Sequence, residues 1–326
     1  MHIPDNYLSP STCATFGVIM LPVWRRASMK VKAEITKQKM PLLGVAAAFS
    51  FLIMMFNIPL PGGTTGHAIG AALIAILLGP YSAVFTITIA LAIQALFFGD
   101  GGILALGVNC FNMAFIMPFT AYYIFKLIKK IVSSKRGEYL GAFLGGYISV
   151  NIAALFAGIE LGMQPLLFKD SLGLPLYSPY GLSISIPAMT IPHLLVVGLL
   201  EGIITLGAYN YIRKASPDII YKENINKMKP LYIIIGILVL ATPLGLIANG
   251  TAWGEWGTEE IKNLIGFVPK GMEGGFKFTS LIPDYSFGNL KEYLGYIISA
   301  LVGVMIILII FRLLSKINLK KNTKGE

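Results

Sequence analysis

The sequence predicts an all-α polytopic membrane protein, and its composition and its apolar runs are the observations that predict this fold class. Of its 326 residues, 55% are hydrophobic and only 13% are charged, whereas soluble domains are about one quarter charged. The hydrophobic residues gather in long continuous runs, separated by polar or glycine-rich segments. Runs of this length and composition are typical of membrane-spanning helices.

We predict about nine transmembrane helices, with ends that are accurate to a few residues. The third run is too short to cross roughly 30 Å of hydrocarbon unless the helix tilts or the bilayer thins. Gly79-Pro80 separates this run from the fourth. The predicted spans are residues 8–24, 41–59, 66–79, 81–98, 109–128, 138–160, 186–211, 230–249 and 292–312.

The distribution of basic residues predicts the orientation in the membrane. With nine spans and an outside N-terminus, 21 of the 26 Lys and Arg fall on the cytoplasmic side, in agreement with the positive-inside rule. The C-terminus is then cytoplasmic. The net charge of +10 therefore reflects topology, and we expect membrane lipid as a partner and no nucleic acid.

A polar, basic stretch that begins at residue 217 is the best candidate for a boundary between two units. Residues 1–216 carry seven predicted spans, and residues 217–326 carry two spans joined by an outside loop at about 250–291. A connection of this length is commonly functional or docked. The first apolar run lacks a preceding basic segment, so we expect it to be retained rather than cleaved as a signal peptide.

The N-terminus offers an unusual set of possible metal ligands. His2 follows Met1 directly, so its imidazole, its backbone nitrogen and the α-amino group can all reach one ion. A second imidazole from elsewhere would complete four nitrogens in a plane, which suits Ni²⁺, Cu²⁺ or low-spin Co²⁺. His67 lies in a Pro/Gly-rich turn. The alternative is that His2 is an accident at a frayed terminus.

Three other polar residues are candidates for supporting such a site. His193, at the outer turn of the seventh span, could orient a ligand histidine, or it could be a neutral histidine that is packed and hydrogen-bonded. Asn109 has the same ambiguity at the outer start of the fifth span, and Asp100 lies in a glycine-rich outside turn.

The sequence carries no pattern that predicts an enzyme. It contains no Ser-His-Asp, His-Glu-x-x-His or paired-carboxylate arrangement, and no P-loop for ATP. We therefore expect no catalytic residue and no catalytic cofactor. The two cysteines, Cys13 and Cys110, lack a metal-binding spacing and are predicted to be packing residues.

Small residues recur along the second span and predict a close helix–helix contact. The partner of this surface is either another helix of the chain or another membrane subunit. The residues are Gly44, Ala46, Ala48 and Ser50.

Four motifs within residues 1–212 resemble the cobalt/nickel substrate-binding (S) components of energy-coupling factor transporters, which belong to the ABC transporters. One departure is Asn6, where that family often has glycine. The motifs, in chain order, are Met1-His2-Ile3-Pro4-Asp5-Asn6-Tyr7-Leu8-Ser9-Pro10, Pro61-Gly62-Gly63-Thr64-Thr65-Gly66-His67, Phe98-Gly99-Asp100-Gly101-Gly102 and Leu106-Gly107-Val108-Asn109-Cys110-Phe111-Asn112-Met113.

This resemblance implies a fold, a ligand set and partners. The fold would be a six-helix core with one extra N-terminal helix, in a prokaryotic cytoplasmic membrane. Ni²⁺ or Co²⁺ captured from outside would be held by the Met1 amine, the His2 amide and imidazole, and the His67 imidazole. The partners would be a transmembrane coupling (T) protein, which the small-residue surface of the second span would meet, and two cytoplasmic ATPases.

Residues 217–326 resemble, more weakly, a fused accessory component with two spans and an outside loop. Pro243-Leu244-Gly245-Leu246-Ile247-Ala248 and Pro283-Asp284-Tyr285 carry this likeness. The alternative to metal capture is a metal-independent S component or a secondary transporter for a small organic solute. In that case His2 and His67 would be structural.

Overall fold

The structure of the chain is a computed structural model that describes residues 1–34, 39–217, 219, 228–248, 250–288 and 290–322. In this part of the chain the architecture is helical, apart from one antiparallel hairpin and one isolated β-bridge. The hairpin pairs β1 (Ile58–Leu60) with β2 (Thr64–Gly66). Gly62 and Gly63 form its turn, and both have the positive φ angles that glycine adopts without strain.

The helices before residue 217 build the first unit. Three of them contain a wider helical turn, at Gln94–Phe98, Cys110–Ile116 and His193–Val197, and such turns are frequent at functional sites. The helices are α1 (Pro10–Glu34), α2 (Met40–Met54), α3 (Ala71–Leu78), α4 (Pro80–Phe98), α5 (Leu106–Ile131), α6 (Lys135–Leu167) and α7 (Leu182–Ala215).

The remainder of the chain forms two long helices with a structured loop between them. The long helices are α8 (Lys229–Ile247) and α11 (Glu292–Asn322). The loop contains the short helices α9 (Thr258–Ile265) and α10 (Lys270–Glu273) and a single turn at Pro283–Tyr285.

The all-helical membrane architecture predicted from the sequence is confirmed. Within the described residues, six helices are long and apolar enough to cross a membrane, namely α4, α5, α6, α7, α8 and α11. The remaining three predicted spans coincide with α1, α2 and the short α3. The number of crossings, nine, stays a prediction.

Helix α6 lies at the centre of the first unit, between α5 and α7. Its glycines allow α7 to approach closely, since a Cβ on Gly146 would lie 2.9 Å from the Glu201 carbonyl oxygen and one on Gly158 would lie 3.0 Å from Ile186 Cα. Small residues are the usual means of close packing between membrane helices. The short α3 is enclosed by α4, α5, α6 and α7.

Helix α11 packs against α2 through two glycine–aromatic contacts. A Cβ on Gly44 would lie 3.1 Å from Phe311, and a Cβ on Gly303 would overlap the ring of Phe51. Ala48 is fully buried. These contacts attach the second unit to the first along the whole apolar length of α2.

Three of the four small residues predicted on α2 therefore lie against other parts of the same chain. Besides Gly44 and Ala48, the buried Ser50 donates its hydroxyl hydrogen to the Ile69 carbonyl oxygen at 2.7 Å. Only Ala46 is partly exposed, in an apolar groove that it shares with Phe49. Contact within the chain accounts for most of this surface.

Helix α1 crosses α5 at a point where the two backbones touch. A Cβ on Gly107 would lie 2.7 Å from the Gly17 nitrogen, whereas a Cβ on Gly17 would meet nothing within 4 Å. A side chain at Gly107 on α5 would therefore disrupt the crossing, whereas a side chain at Gly17 on α1 would not. Helix α1 also packs on α4.

Replacing Gly107 by Ala should push α1 off α5, whereas Gly17→Ala at the same crossing should be tolerated. Overpacking of this kind costs about 1–3 kcal/mol. Thermal unfolding of the purified protein in detergent measures the difference. Equal unfolding temperatures for the two variants would show that α1 does not dock at this position.

Candidate metal centre

The N-terminal segment before α1 is buried and is not a frayed terminus in this structure. Met1 is 7% exposed and His2 is 3% exposed. Ser9 ends the segment as the N-cap of α1, because its hydroxyl oxygen accepts the backbone N–H of Thr12 at 3.1 Å, and Pro10 follows at the first helical position. The local sequence therefore specifies where the segment stops.

Asn109 fixes the segment to the first unit through two hydrogen bonds. The N–H of Ile3 donates to Asn109 Oδ1 at 2.8 Å, and Asn109 Nδ2 donates to the Ile3 carbonyl oxygen at 3.0 Å. The same carbonyl accepts the N–H of Gly102 at 2.9 Å. Asn109 thus hydrogen-bonds to the residue that follows His2, and its supporting role at a metal site stays a prediction.

Asp5 anchors the segment at a second point. Its carboxylate accepts the backbone N–H of Ile103 at 3.0 Å and that of Leu104 at 2.8 Å. Gly102 permits this contact, since a Cβ there would lie 2.5 Å from the Asp5 nitrogen. The glycine-rich turn before α5 is therefore a seat for the N-terminal segment.

His67 follows strand β2, so the hairpin determines its position. Its Nδ1 donates to the Ala68 carbonyl oxygen at 3.0 Å, which leaves Nε2 as the nitrogen with a free lone pair. Its ring lies 5.0 Å from that of His2, centroid to centroid, with an angle of 26° between the planes. The structure therefore brings together the two histidines that the sequence selected.

Glu201, on α7, hydrogen-bonds to the backbone that follows His67. Its carboxylate oxygens accept the backbone N–H of Ile69 at 2.7 Å and that of Gly70 at 3.1 Å. Gly70 has a φ of 75° and precedes α3. A buried carboxylate is expensive in a membrane, and here it binds the free N–H groups at the start of a helix.

Asp100 is the direct partner of His2. His2 Nδ1 lies 2.8 Å from Asp100 Oδ1. The other carboxylate oxygen accepts Gln94 Nε2 at 2.9 Å and the hydroxyl of Tyr285 at 2.5 Å. Among the described residues, nothing hydrogen-bonds to His2 Nε2, which is buried.

The loop between α8 and α11 covers the N-terminal segment. The Met1 amine donates to Glu255 Oε1 at 3.2 Å, and the Tyr7 hydroxyl donates to the Trp256 carbonyl oxygen at 2.8 Å. The same loop also touches the hairpin, where the Trp253 N–H donates to Thr64 Oγ1 at 2.8 Å. The loop is thus docked on both segments that carry a histidine.

The conformation of Asn6 explains how asparagine can stand where the resembling family often has glycine. Its φ is 71°, in the left-handed region where glycine is common and Asn is tolerated. Its side chain then makes a reciprocal pair with Phe276, donating to the carbonyl oxygen at 2.8 Å and accepting the N–H at 2.9 Å. Asn keeps the backbone conformation that glycine would supply and adds a contact to the loop.

A cavity of about 350 Å³ opens beside the two histidines. Both units line it: His2, His67 and Asp100 come from the first, and Glu255 and Tyr285 from the second. Its size leaves room for an ion together with water molecules.

Burial and charge shift the ionisation of the groups around the cavity. Burial lowers the pKa of His67 well below its usual range, and the nearby α-amino group adds to this, so this imidazole stays neutral. Burial opposes ionisation of Asp100, but contacts with His2 and Tyr285 outweigh it and lower the pKa of the carboxyl. Burial raises the pKa of Tyr285, which keeps the phenol a hydrogen-bond donor.

Two other predicted features lie apart from this cluster. His193 donates from Nδ1 to the Met189 carbonyl oxygen of its own helix at 2.6 Å and does not line the cavity. Cys13 and Cys110 are buried free thiols.

Sequence reasoning missed three contacts around the site, those made by Gln94, Glu201 and Glu255. None of these residues lies in a motif beside a histidine, and each reaches the site through packing of distant segments. Tyr285 belongs to a tripeptide that carried the accessory likeness, but nothing in that string indicates a contact with Asp100. A positive φ of 57° at Tyr285 is a structural property that the residue type does not suggest.

The donor set fits an ion that prefers nitrogen ligands. No group of three or more His, Cys, Asp or Glu side chains with metal-site geometry occurs in the described part of the chain. Two imidazoles beside an α-amino group are present instead. Such ligands suit late first-row divalent ions rather than Mg²⁺ or Ca²⁺.

Comparison with protein families then identifies the first unit. The profile of the CbiM family, described as a cobalt uptake substrate-specific transmembrane region, matches residues 2–219. The chain belongs to the CbiM family. A second profile, the PDGLE domain, matches residues 228–319. CbiM proteins are membrane transport proteins, so the chain is a transport protein and not an enzyme.

Two relatives extend over nearly the whole chain. The probable fused nickel transport protein LarMN of Lactiplantibacillus plantarum is 47% identical over 322 residues, which is 96% of this chain and 97% of the relative. The fused nickel transport protein NikMN of Rhodobacter capsulatus is 43% identical and covers 94% of this chain and 95% of its own length. This CbiM protein therefore shares the fused two-part organisation of these relatives.

Solved structures match the first unit. A crystal structure of a transition metal transporter is 51% identical, with a TM-score of 0.64, and covers 68% of this chain and 97% of its own. A truncated transition metal transporter is 52% identical, with a TM-score of 0.63, and covers 66% of this chain and 99% of its own.

Replacing Asn109 by Leu should release the N-terminal segment, because the buried N–H of Ile3 loses its acceptor. An unsatisfied buried donor costs about 1–3 kcal/mol. Asn151→Leu is the matched control, since Asn151 Nδ2 bonds only to the Tyr147 carbonyl oxygen of its own helix. Thermal unfolding and aminopeptidase digestion measure the effect, and equal resistance of both variants would exclude the anchoring role of Asn109.

Proposed function

We propose that this protein captures Ni²⁺ or Co²⁺ at the outer side of the membrane and is the substrate-binding subunit of an ATP-driven importer. The observation that carries the proposal is the buried meeting of His2, His67 and the Met1 amine beside one cavity. These groups come from two ends of a 67-residue stretch, and each has a partner among the described residues: Glu255 for the amine, Asp100 for His2 and the Ala68 carbonyl oxygen for His67. A structural role for the two histidines would not require a buried α-amino group next to them.

The proposed ligands are four nitrogens: the Met1 amine, the His2 amide, the His2 imidazole and the Nε2 of His67. Nδ1 of His2 is the ring atom that closes a six-membered chelate with the amide nitrogen of the same residue. A half-turn of the ring about Cβ–Cγ moves Nδ1 away from Asp100. The same turn would place Nε2, which is buried without a partner among the described residues, where Cε1 stood, on the edge of the ring that faces Asp100. Asp100 then serves the usual role of a carboxylate behind a metal-ligating histidine.

The choice of ion rests on the ligands and on the relatives. Four nitrogens in a plane suit Ni²⁺ and low-spin Co²⁺. The relatives that span the chain are described as nickel transport proteins, and the family description is cobalt uptake. Cu²⁺ binds nitrogen ligands more strongly than either, so selection would depend on site geometry and on the ions available.

The proposed organisation follows from the helices and their charges. Residues 1–216 form the metal-binding unit and residues 217–326 form the accessory unit. Nine crossings would place the N-terminus outside and the C-terminus in the cytoplasm. The chain contains no P-loop, so ATP hydrolysis falls to two cytoplasmic ATPases, which act through a membrane coupling protein.

The substitutions His2→Ala and His67→Ala should each abolish Ni²⁺ and Co²⁺ accumulation by cells that express the complete transporter. Each substitution removes an imidazole that no neighbouring side chain can replace, because no further histidine lines the cavity. Metal content of the cells measures the result, and the amount of each variant in the membrane is the control. Unchanged accumulation in both variants would eliminate the proposed site.

Adding a peptide tag before Met1 should be as damaging as removing His2, whereas a C-terminal extension should have no effect. The tag converts the α-amino nitrogen of Met1 into an amide nitrogen but leaves both imidazoles in the sequence. Bound metal after purification of each form measures the outcome. Full metal occupancy in the form with the N-terminal tag would show that the α-amino group is not a ligand.

A further inference from the structure

The accessory unit contacts the proposed metal site at two of its ligand groups. Glu255, in the loop after α8, accepts a hydrogen bond from the Met1 amine at 3.2 Å. Tyr285, in the turn before α11, donates to Asp100, which holds His2. Both residues line the cavity at the two histidines. The two contacts arise from different parts of the loop and act on different ligands, Glu255 directly on the amine and Tyr285 through Asp100 on the His2 imidazole.

We propose that Glu255 and Tyr285 are positioning residues for metal binding, one for the α-amino ligand and the other for the His2 imidazole. This inference rests on the proposed function. It assigns the accessory unit a specific part in the site: its side chains set the geometry of ligands that belong to the first unit.

Glu255 is suited to hold the amine while the amine binds an ion. A tetrahedral amine nitrogen has one lone pair for the ion and N–H groups that point elsewhere, so one of them can remain on the carboxylate. The Met1 side chain is 2% exposed. Without Glu255 the terminus would lose the one ion pair that the described residues provide to it.

Tyr285 is held rigidly in its own place. Its ring stacks on Phe98 with a centroid distance of 4.7 Å and an interplanar angle of 18°. Its carbonyl oxygen accepts the hydroxyl of Ser299 at 2.8 Å, and Gln94 Nε2 donates to its hydroxyl oxygen at 3.1 Å. The left-handed backbone at Tyr285, uncommon for an aromatic residue, aims the phenol at Asp100. Strained backbone is frequent where a side chain must be aimed.

The experiment compares Glu255→Gln and Tyr285→Phe in the full-length protein loaded with Ni²⁺. Each variant keeps the shape of the side chain and removes the charge or the hydroxyl. Transfer of Ni²⁺ to an excess of chelator should be about three- to tenfold faster in both, the expected effect of one hydrogen bond. The matched controls are Glu259→Gln and Tyr293→Phe, at exposed positions of the same unit, and both should match the unsubstituted protein.

A second measurement, without metal, separates the two roles. Labelling of the Met1 α-amino group by an amine-reactive reagent, quantified on the N-terminal peptide by mass spectrometry, should be faster in Glu255→Gln and unchanged in Tyr285→Phe. A general loosening of the fold would accelerate labelling in both variants and lower both unfolding temperatures, and that result would overturn the proposal.

The remaining outcomes are also decisive. If the unsubstituted protein binds Ni²⁺ and its release rate is unchanged or slower in both variants, the positioning roles are excluded and the proposed function stands. If the unsubstituted protein binds no Ni²⁺ through its N-terminus, the proposed function itself fails, whatever the labelling shows.

Discussion

The structure depends on burying the first residues of the chain, including a charged terminus, without leaving their polar groups unpaired. A buried backbone N–H or C=O without a partner costs about 1–3 kcal/mol, and a buried charge costs more. Side chains meet this constraint because they hydrogen-bond to backbone N–H and C=O groups that no helix or strand pairs. Asn109 pairs with both polar groups of Ile3, and Asp5 binds successive N–H groups before α5. The glycine-rich turns are needed because only a backbone without side chains approaches closely enough.

Both histidine-bearing segments lie outside the helices, and other parts of the protein cover them. Glu201 binds the N–H groups that follow His67. The loop between α8 and α11 binds the hairpin through Trp253 and the N-terminal segment through Trp256. Irregular backbone is stable in a membrane protein only under such cover. The loop between α8 and α11 therefore provides cover for both segments.

The attachment of the two units explains why the small-residue surface of α2 was open to two interpretations. A Gly-x-x-x-Ala pattern predicts that some helix approaches closely, but it does not name the helix. In the structure, Phe311 of α11 fills the space above Gly44, and Phe51 of α2 fills the space above Gly303. Ala46 borders an apolar groove, and Gly44 lines a separate cavity beside Phe311. Most of the small-residue surface is therefore used for contacts within the chain.

The sequence by itself determined the membrane class, the position of the helices and the identity of the two histidines. Long apolar runs have one stable solution in a bilayer, and residue 2 carries a chelating option that depends only on chain position. Only the tertiary structure decided the partners of those histidines. Asp100 reaches His2 from 98 residues away, Glu255 reaches Met1 from 254 residues away, and Tyr285 reaches Asp100 from 185 residues away, through packing of α4, the loop and α11. No local pattern encodes such contacts, since each depends on where separate helices end and on which surfaces they share.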